Sequence, residues 1–325
     1  MAAMRGAADA PESGRRRMFM VCGEALMDVF GAGDRAEGMA LDARMGGSPF
    51  NVARGLARLG CEVGFLGAVS TDFLGERLMR SLRQEGVDTA CVVRLDAPTT
   101  LSLVGLDEHG APSYAFHGTG CADRLLLPRH LGPLPAAVRA LHFGSYAMVV
   151  EPIGSTLRAL AAAERGRRLI AYDPNVRLNV EPGLARWRET VQGMAACADL
   201  VKASEEDLGL LYPGRAAEAV AQDWLAAGCT LAVVTRGGAG ALAFRRGERL
   251  EVPAPATAVV DTVGAGDTFQ AALLCALGEA QALNAAALAA LPAARLEQAL
   301  GFAARAAALT CSRRGADMPR AAELR

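Results

Sequence analysis

Asp267 is the residue whose neighbours most clearly indicate chemistry in this chain of 325 residues. It follows the turn Gly264-Ala265-Gly266 and precedes an apolar run, 270–277, that predicts a helix. The backbone N–H groups of such a turn point toward one place, and the positive end of the helix dipole adds to them, so the turn predicts an anion site. A carboxylate beside that site is electrostatically costly. It is explained if Asp267 accepts a proton from a nucleophile that attacks the anion.

A structural explanation competes, because an Asp between a glycine turn and a helix most often caps the helix. A second segment favours the catalytic explanation. Pro49 suits a first helical turn, and apolar residues recur at helical spacing after it. Gly46 and Gly47 therefore form a turn that enters a helix, with Asn51 in its first turn.

Together the two segments resemble the paired signatures of the ribokinase-like sugar kinases, also called the PfkB family. The late segment, 261–269, fits the second signature throughout. The early segment fits over residues 46–60, and Ser70 then stands where a glycine is usual. Two signatures in the right order are far more specific than one glycine-rich turn. The similarity runs from about residue 18 to the C-terminus.

The resemblance implies transfer of the γ-phosphoryl group of MgATP to a sugar hydroxyl, with Asp267 as the general base. The N–H groups of Gly264, Ala265 and Gly266 are then expected to stabilise the charge that develops on the transferring phosphate. A requirement for a monovalent cation is left open. Two activities of other classes also remain open, a nicotinamide-dependent oxidoreductase and a non-catalytic sugar-binding protein.

The resemblance also implies a set of sugar contacts. They are Asp28, Gly46, Gly47, Asn51, Phe116 and Arg177. Asp28 follows the first apolar strand, at the edge where open α/β sheets bind ligands, and a carboxylate there accepts hydrogen bonds from two hydroxyls. Arg177 presents a planar fork of donors to a phosphate or sugar oxygen. A solvated loop Asp and a surface Arg are the structural alternatives.

A third set of residues is implied for the nucleotide. They are Asn175, Lys202, Ser204, Thr235, Gly237 and Gly240. Segment 202–207 stands where the family has N-x-x-E, which helps hold magnesium, so Asp207 is predicted to contact the metal through water. Because Ser204 replaces Asn and Asp207 replaces Glu, a capping Ser before an acidic turn explains this segment equally well.

The glycines at 237–240 also fit a weak Rossmann fingerprint for a dinucleotide. A strand, rather than the required helix, is predicted after them, which argues against that rival. Ala304 stands where many relatives carry an Asn near adenine. Contacts to the base are therefore not assigned.

The expected sugar substrate is inferred from sequence similarity and from the charge of the predicted pocket. Several stretches look most like the bacterial fructokinases within the family, so fructose, phosphorylated to fructose 6-phosphate, is the expected substrate. The alternatives are 2-keto-3-deoxygluconate and ribose. Kinases for that keto acid tend to place Tyr-x-Arg where this chain has Phe116-His117-Gly118, and losing the arginine leaves a carboxylate unpaired. A neutral ketohexose is favoured.

The composition limits the binding partners and the cellular location that can be expected for the protein. A net charge of −1 without a basic stripe argues against nucleic acid, and no apolar run of membrane length or secretory signal is present in the sequence. A cytoplasmic location is expected. Lys202 is the only lysine and does not follow the glycines of a P-loop, so phosphate must be bound by backbone amides and arginine.

Short apolar runs alternate with helical patterns, which predicts an α/β fold with a mainly parallel sheet between two helical layers. Residues 1–17 are expected to be a disordered leader and residues 18–325 the kinase domain. Segments near 29–44 and 91–120 lack helices, and in the family such segments form a small β lid over the sugar. A homodimer through this lid is compatible with the resemblance.

Overall fold

A mainly parallel sheet of nine strands forms the centre of the molecule. The computed structural model describes residues 18–106 and 112–324, so the predicted leader at residues 1–17 lies outside the described residues. In chain order the strands are β1 (Met18–Cys22), β2 (Leu26–Arg35), β3 (Gly38–Gly46), β4 (Glu62–Ser70), β5 (Val92–Leu95), β6 (Leu101–Leu106), β7 (Pro112–His117), β8 (Val138–Gly144), β9 (Leu169–Asp173), β10 (Leu200–Ser204), β11 (Leu231–Thr235), β12 (Ala241–Arg245) and β13 (Glu248–Val252). The large sheet has the order β13-β12-β11-β10-β9-β8-β1-β4-β5, and only β12 and β13 run antiparallel to their neighbours.

Helices cover both faces of this sheet. In chain order they are α1 (Ser48–Arg58), α2 (Phe73–Gln84), α3 (Ile153–Glu164), α4 (Leu184–Ala195), α5 (Glu205–Leu211), α6 (Ala217–Ala227), α7 (Ala265–Glu279), α8 (Ala285–Ala289) and α9 (Ala293–Cys311). Along β1, Phe19 and Val21 pack with α1, α2 and α7–α9, whereas Met18 and Met20 pack with α3–α6. Successive strand residues point to opposite faces, so a strand buried on both sides is apolar throughout. The predicted three-layer α/β/α sandwich is confirmed.

A second, smaller sheet has the strand order β3-β2-β6-β7. It contains the first expected lid segment and part of the second. The prediction was wrong for Val92–Leu95, because these residues pair in parallel with β4 at the edge of the large sheet. Residues 118–120 follow the end of β7 and lie outside the small sheet. In the described part of the chain, no helix has the length and apolar composition needed to span a bilayer.

Helices α1 and α7 bring the two signature segments side by side. α1 starts after Gly47, with Pro49 in its first turn, as predicted. α7 starts after Gly264, whose φ of 78° is left-handed and suits glycine. The two helices approach closely at Gly55, where a Cβ atom would lie only 2.8 Å from Ala271 Cβ. Their N-terminal turns therefore share one end of the sheet.

Gly55→Ala tests this close approach. The added methyl would fall 2.8 Å from both Ala271 Cβ and Met318 Sδ, so one helix must move, which costs about 1–3 kcal/mol. Helix propensity returns at most about 1 kcal/mol, so the variant should be less stable than the wild type in urea unfolding. The matched control is Gly193→Ala in α4, where nothing lies within 4 Å of the added methyl and a gain of roughly 0.5–1 kcal/mol is expected. Equal gains at both positions would contradict the tight contact.

Candidate active site

Asp267 lies in the first turn of α7 and is 9% exposed. Its Oδ1 accepts a hydrogen bond from Ser48 Oγ at 2.6 Å, and its Oδ2 accepts one from Asn51 Nδ2 at 2.9 Å. The capping position belongs to Gly264, so the explanation of Asp267 as a helix cap is wrong. Two donors from α1 orient the carboxylate in the way that a proton acceptor requires. Ser48 was not among the predicted site residues.

The turn before α7 has the N–H groups that an anion site needs. Ala265 N–H donates to the Thr262 carbonyl at 3.2 Å, and Thr268 N–H donates to the Gly264 carbonyl at 2.8 Å. Between them, the N–H groups of Gly266 and Asp267 donate to no backbone carbonyl of the described residues. The first N–H groups of a helix have no partner inside it, so these two are available to bind an anion. This arrangement differs from the prediction for Ala265, whose N–H is engaged within the turn.

A buried ion pair supports this turn from below. Lys202 is 3% exposed, and its Nζ donates to Asp173 Oδ2 at 2.7 Å and to the Gly266 carbonyl at 3.4 Å. Burial raises the pKa of Asp173 to about 6, and the charge of Lys202 opposes that rise. Burial, with a smaller contribution from Lys202, lowers the pKa of His142 to about 3. The structure thus shows Lys202 inside the protein, and the nucleotide contact predicted for it stays a prediction.

Two of the predicted sugar contacts, Asp28 and Phe116, belong to a row of side chains across the small sheet. Asp28 on β2 is paired with Ser102 on β6, which is paired with Phe116 on β7, so the three share one face. Burial raises the pKa of Asp28, while a hydrogen bond from Ser102 and the charge of Arg177 act against that rise. Gly46 is required here, because a Cβ atom would lie 2.0 Å from Asp28 Oδ2. Ser102 was not predicted. The one indication of it in the sequence is that it is a polar residue in a strand-like run.

A cavity of about 360 Å³ opens at the Asp28 end of this row. Asp28 and Asn51 line it together with Arg44, Asp261 and Arg314. Cavities from about 300 Å³ upward are typical for small ligands. The cavity therefore lies between the small sheet and the loop that leads to α7, and Gly47, the residue before α1, lies at the same end of the fold.

The predicted nucleotide residues follow three neighbouring strands. Asn175 follows β9 with a left-handed φ of 41°, Ser204 ends β10, and Thr235 ends β11 directly opposite Ser204. The turn from Gly237 to Gly240 follows and leads into β12, which is antiparallel to β11. A Rossmann site requires a helix there, so that rival is wrong. Carboxyl ends of adjacent parallel strands form the usual ligand edge of such sheets.

Asp207 has a structural role in the first turn of α5. Its N–H bonds Ser204 Oγ at 3.0 Å, while its Oδ2 accepts the Ser204 N–H at 3.1 Å, which forms a capping box. Its Oδ1 accepts the Val176 N–H at 2.8 Å. Both oxygens are thus engaged with the backbone, and the magnesium contact through water remains a prediction. Arg177 itself is exposed, and its guanidinium donates to the Val176 carbonyl at 2.9 Å.

Two buried acids behind the cavity were not predicted. Glu24 is 1% exposed, and burial raises its pKa to about 8, against hydrogen bonds from the Ser145 hydroxyl and the Ser48 N–H. Burial also raises the pKa of Asp123. Glu24 is therefore mainly uncharged at neutral pH. This lowers the negative charge near Asp267, because Ser48 bonds both carboxyl groups.

Comparison with known proteins relates the chain to carbohydrate kinases. A family model described as pfkB family carbohydrate kinase matches residues 16–322. The fructokinase of Rhizobium leguminosarum bv. trifolii is 35% identical over 264 residues, which cover 80% of this chain and 79% of that protein. Fructokinase from Xylella fastidiosa, in a crystal structure with bound ATP, has a TM-score of 0.85 and 29% identity, covering 94% of this chain and 96% of that one. Fructokinase from Vibrio cholerae O395, in its fructose, ADP and calcium ion bound form, has a TM-score of 0.80 and 28% identity, covering 95% and 98%.

The raised pKa of Glu24 predicts a specific pH dependence of stability. Between its ordinary value of 4.5 and about 8, the folded protein keeps a proton that the unfolded chain releases, so folding weakens as pH rises. Glu24→Gln cannot titrate. The free energy of unfolding of the wild type should thus fall relative to this variant by on the order of 1 kcal/mol per pH unit in that window.

Urea unfolding at several pH values measures this difference, and Glu37→Gln, at an exposed turn, controls for the loss of one carboxyl group. A difference between wild type and Glu24→Gln that does not change with pH would show that Glu24 is ionised in the folded protein.

Proposed function

The chain belongs to the pfkB family of carbohydrate kinases, and we propose that it transfers the γ-phosphoryl group of MgATP to the 6-hydroxyl of fructose. It is an ATP-dependent sugar kinase. The observation that carries the proposed chemistry is the position of Asp267, at the anion-binding end of α7 and held by Ser48 and Asn51.

In the proposed reaction, a sugar hydroxyl approaches Asp267 and gives its proton to the carboxylate as the oxygen attacks phosphorus. The N–H groups of Gly266 and Asp267 donate to the transferring phosphate, and the positive end of α7 stabilises the charge that develops there. Ser48 and Asn51 hold the carboxylate at one orientation. Orientation of this kind lowers the barrier because the reacting groups need no further reorganisation.

ATP and metal ions are supported as ligands by two related structures, one with ATP and one with fructose, ADP and calcium. Magnesium as the working ion is our proposal. The donor set of Asp207 fits it only through water, since both carboxylate oxygens accept backbone N–H groups. Asn175, Ser204, Thr235 and the 237–240 turn are proposed to contact the nucleotide, and a monovalent cation remains a proposal for this chain.

Fructose as the substrate is supported by the relatives that the chain resembles over most of its length. The charge argument against a sugar acid needs a correction. The guanidinium of Arg124 lies 5.1 Å from the Phe116 ring centroid, so a cation is present where the sequence indicated none. This observation makes 2-keto-3-deoxygluconate the second candidate.

The oligomeric state and the cellular location are further parts of the proposal. Met39 and Leu41 on β3, at an edge of the small sheet, are 60% and 52% exposed, so a second copy that covers this edge would bury apolar surface. A homodimer through the small sheet and a cytoplasmic location are therefore part of the proposal.

A panel of sugars tests the proposed function. Purified protein with MgATP should release ADP with fructose at a higher kcat/KM than with 2-keto-3-deoxygluconate or ribose, and ³¹P NMR should show phosphate on the 6-hydroxyl. The reason is that Asp28 accepts hydroxyl protons, whereas a sugar carboxylate brings a second negative charge toward Asp28 and ATP. A higher kcat/KM for the keto acid would overturn fructose as the substrate. No ADP release with any sugar would favour a non-catalytic binding protein.

A further inference from the structure

Arg124 occupies the space that a side chain at position 118 would need. A Cβ atom on Gly118 would lie 2.6 Å from Phe116 Cε1 and 2.7 Å from both Arg124 Nε and one terminal nitrogen of the guanidinium. The same guanidinium carbon lies 5.1 Å from the centroid of Phe116 and 5.6 Å from that of Tyr146. The two rings meet edge to face at 5.4 Å. The cation therefore lies in an aromatic corner, where such contacts stabilise it.

The backbone turn that carries Arg124 is firmly anchored. Asp123, the preceding residue, is 2% exposed. Its Oδ1 accepts a short hydrogen bond from the Thr100 hydroxyl, and its Oδ2 accepts one from Tyr146 Oη at 2.8 Å. The Cys121 N–H also bonds the Gly118 carbonyl at 3.2 Å, which folds the turn back on itself. Arg124 is thus held beside Gly118 by fixed contacts on both sides.

This corner lies at one end of the row formed by Asp28, Ser102 and Phe116. Phe116 is in register with Ser102, and Ser102 with Asp28, so the row crosses three strands and spans about 10 Å. Asp28 lies at the other end of the row, where it interacts electrostatically with Asp267. Arg124 is therefore at the end away from the reacting hydroxyl. Its Nε is buried and has no hydrogen-bond partner among the residues that the structure describes.

Resting on the proposed function, we propose that Arg124 is a specificity-determining residue of the sugar site. It donates from its guanidinium to oxygens of the ketohexose at the end opposite the transferred phosphate. A planar guanidinium matches a pair of neighbouring sugar oxygens, and an arginine buried without such an acceptor leaves a donor unsatisfied. Because this contact is equally strong in the ground state and the transition state, it sets KM rather than kcat.

Arg124→Leu tests the assignment. The KM for fructose should rise on the order of 10–100-fold, the range expected for loss of a charged hydrogen bond, while kcat and the KM for ATP change by less than about twofold. Arg129→Leu is the matched control, since Arg129 lies five residues further along the same segment and is exposed. It should leave all three constants unchanged. A thermal melt checks that both variants fold.

Gly118→Ala provides a second test. The added methyl would lie 2.6 Å from Phe116 Cε1 and 2.7 Å from the Arg124 guanidinium, so it should displace both side chains and raise the KM for fructose while kcat stays nearly unchanged. An unchanged KM in Arg124→Leu, or a loss confined to kcat, overturns the proposal. If the wild type phosphorylates another sugar in place of fructose, the proposed substrate fails, and the same KM comparison on that sugar decides the role of Arg124.

Discussion

The hydrogen bonds from Ser48 and Asn51 to Asp267 join the two helices on which the site depends. Each helix begins at a glycine turn at the same end of the sheet, and Gly55 lets them approach along their length. A shift of either helix would move a donor away from the carboxylate. The packing between α1 and α7 therefore determines the orientation of the proposed base. A misplacement of about 1 Å would slow catalysis strongly.

Charge around the cavity is arranged so that an anion can enter. Burial raises the pKa of Glu24 to about 8, which leaves it mainly uncharged at neutral pH, while Asp267 is held by two donors. Beneath the anion-binding turn, the only lysine of the chain is paired with Asp173. In the proposed reaction, phosphate binding depends on backbone N–H groups and the helix dipole. These cost little to bury because their partners are supplied by the ligand.

Much of this site could be predicted from the sequence, because glycine turns before apolar helices are local signals. The starts of α1 and α7 are of this kind. Ser102 and Arg124 could not be found this way, since one depends on the register between strands and the other on a turn that folds back over six residues. The strand Val92–Leu95 was placed in the wrong sheet because four extended residues do not indicate their partner.

The most direct test of the account is a single-turnover measurement on Asp267→Asn. The amide keeps the shape of the side chain and the fold but cannot accept the proton, so phosphoryl transfer to fructose should slow by on the order of 10²–10⁴-fold. Calorimetry should show fructose and ATP binding nearly as in the wild type. Asp223→Asn, at an exposed carboxylate on α6, should transfer phosphate at the wild-type rate. Undiminished transfer by Asp267→Asn would contradict the central claim that this carboxylate is the base.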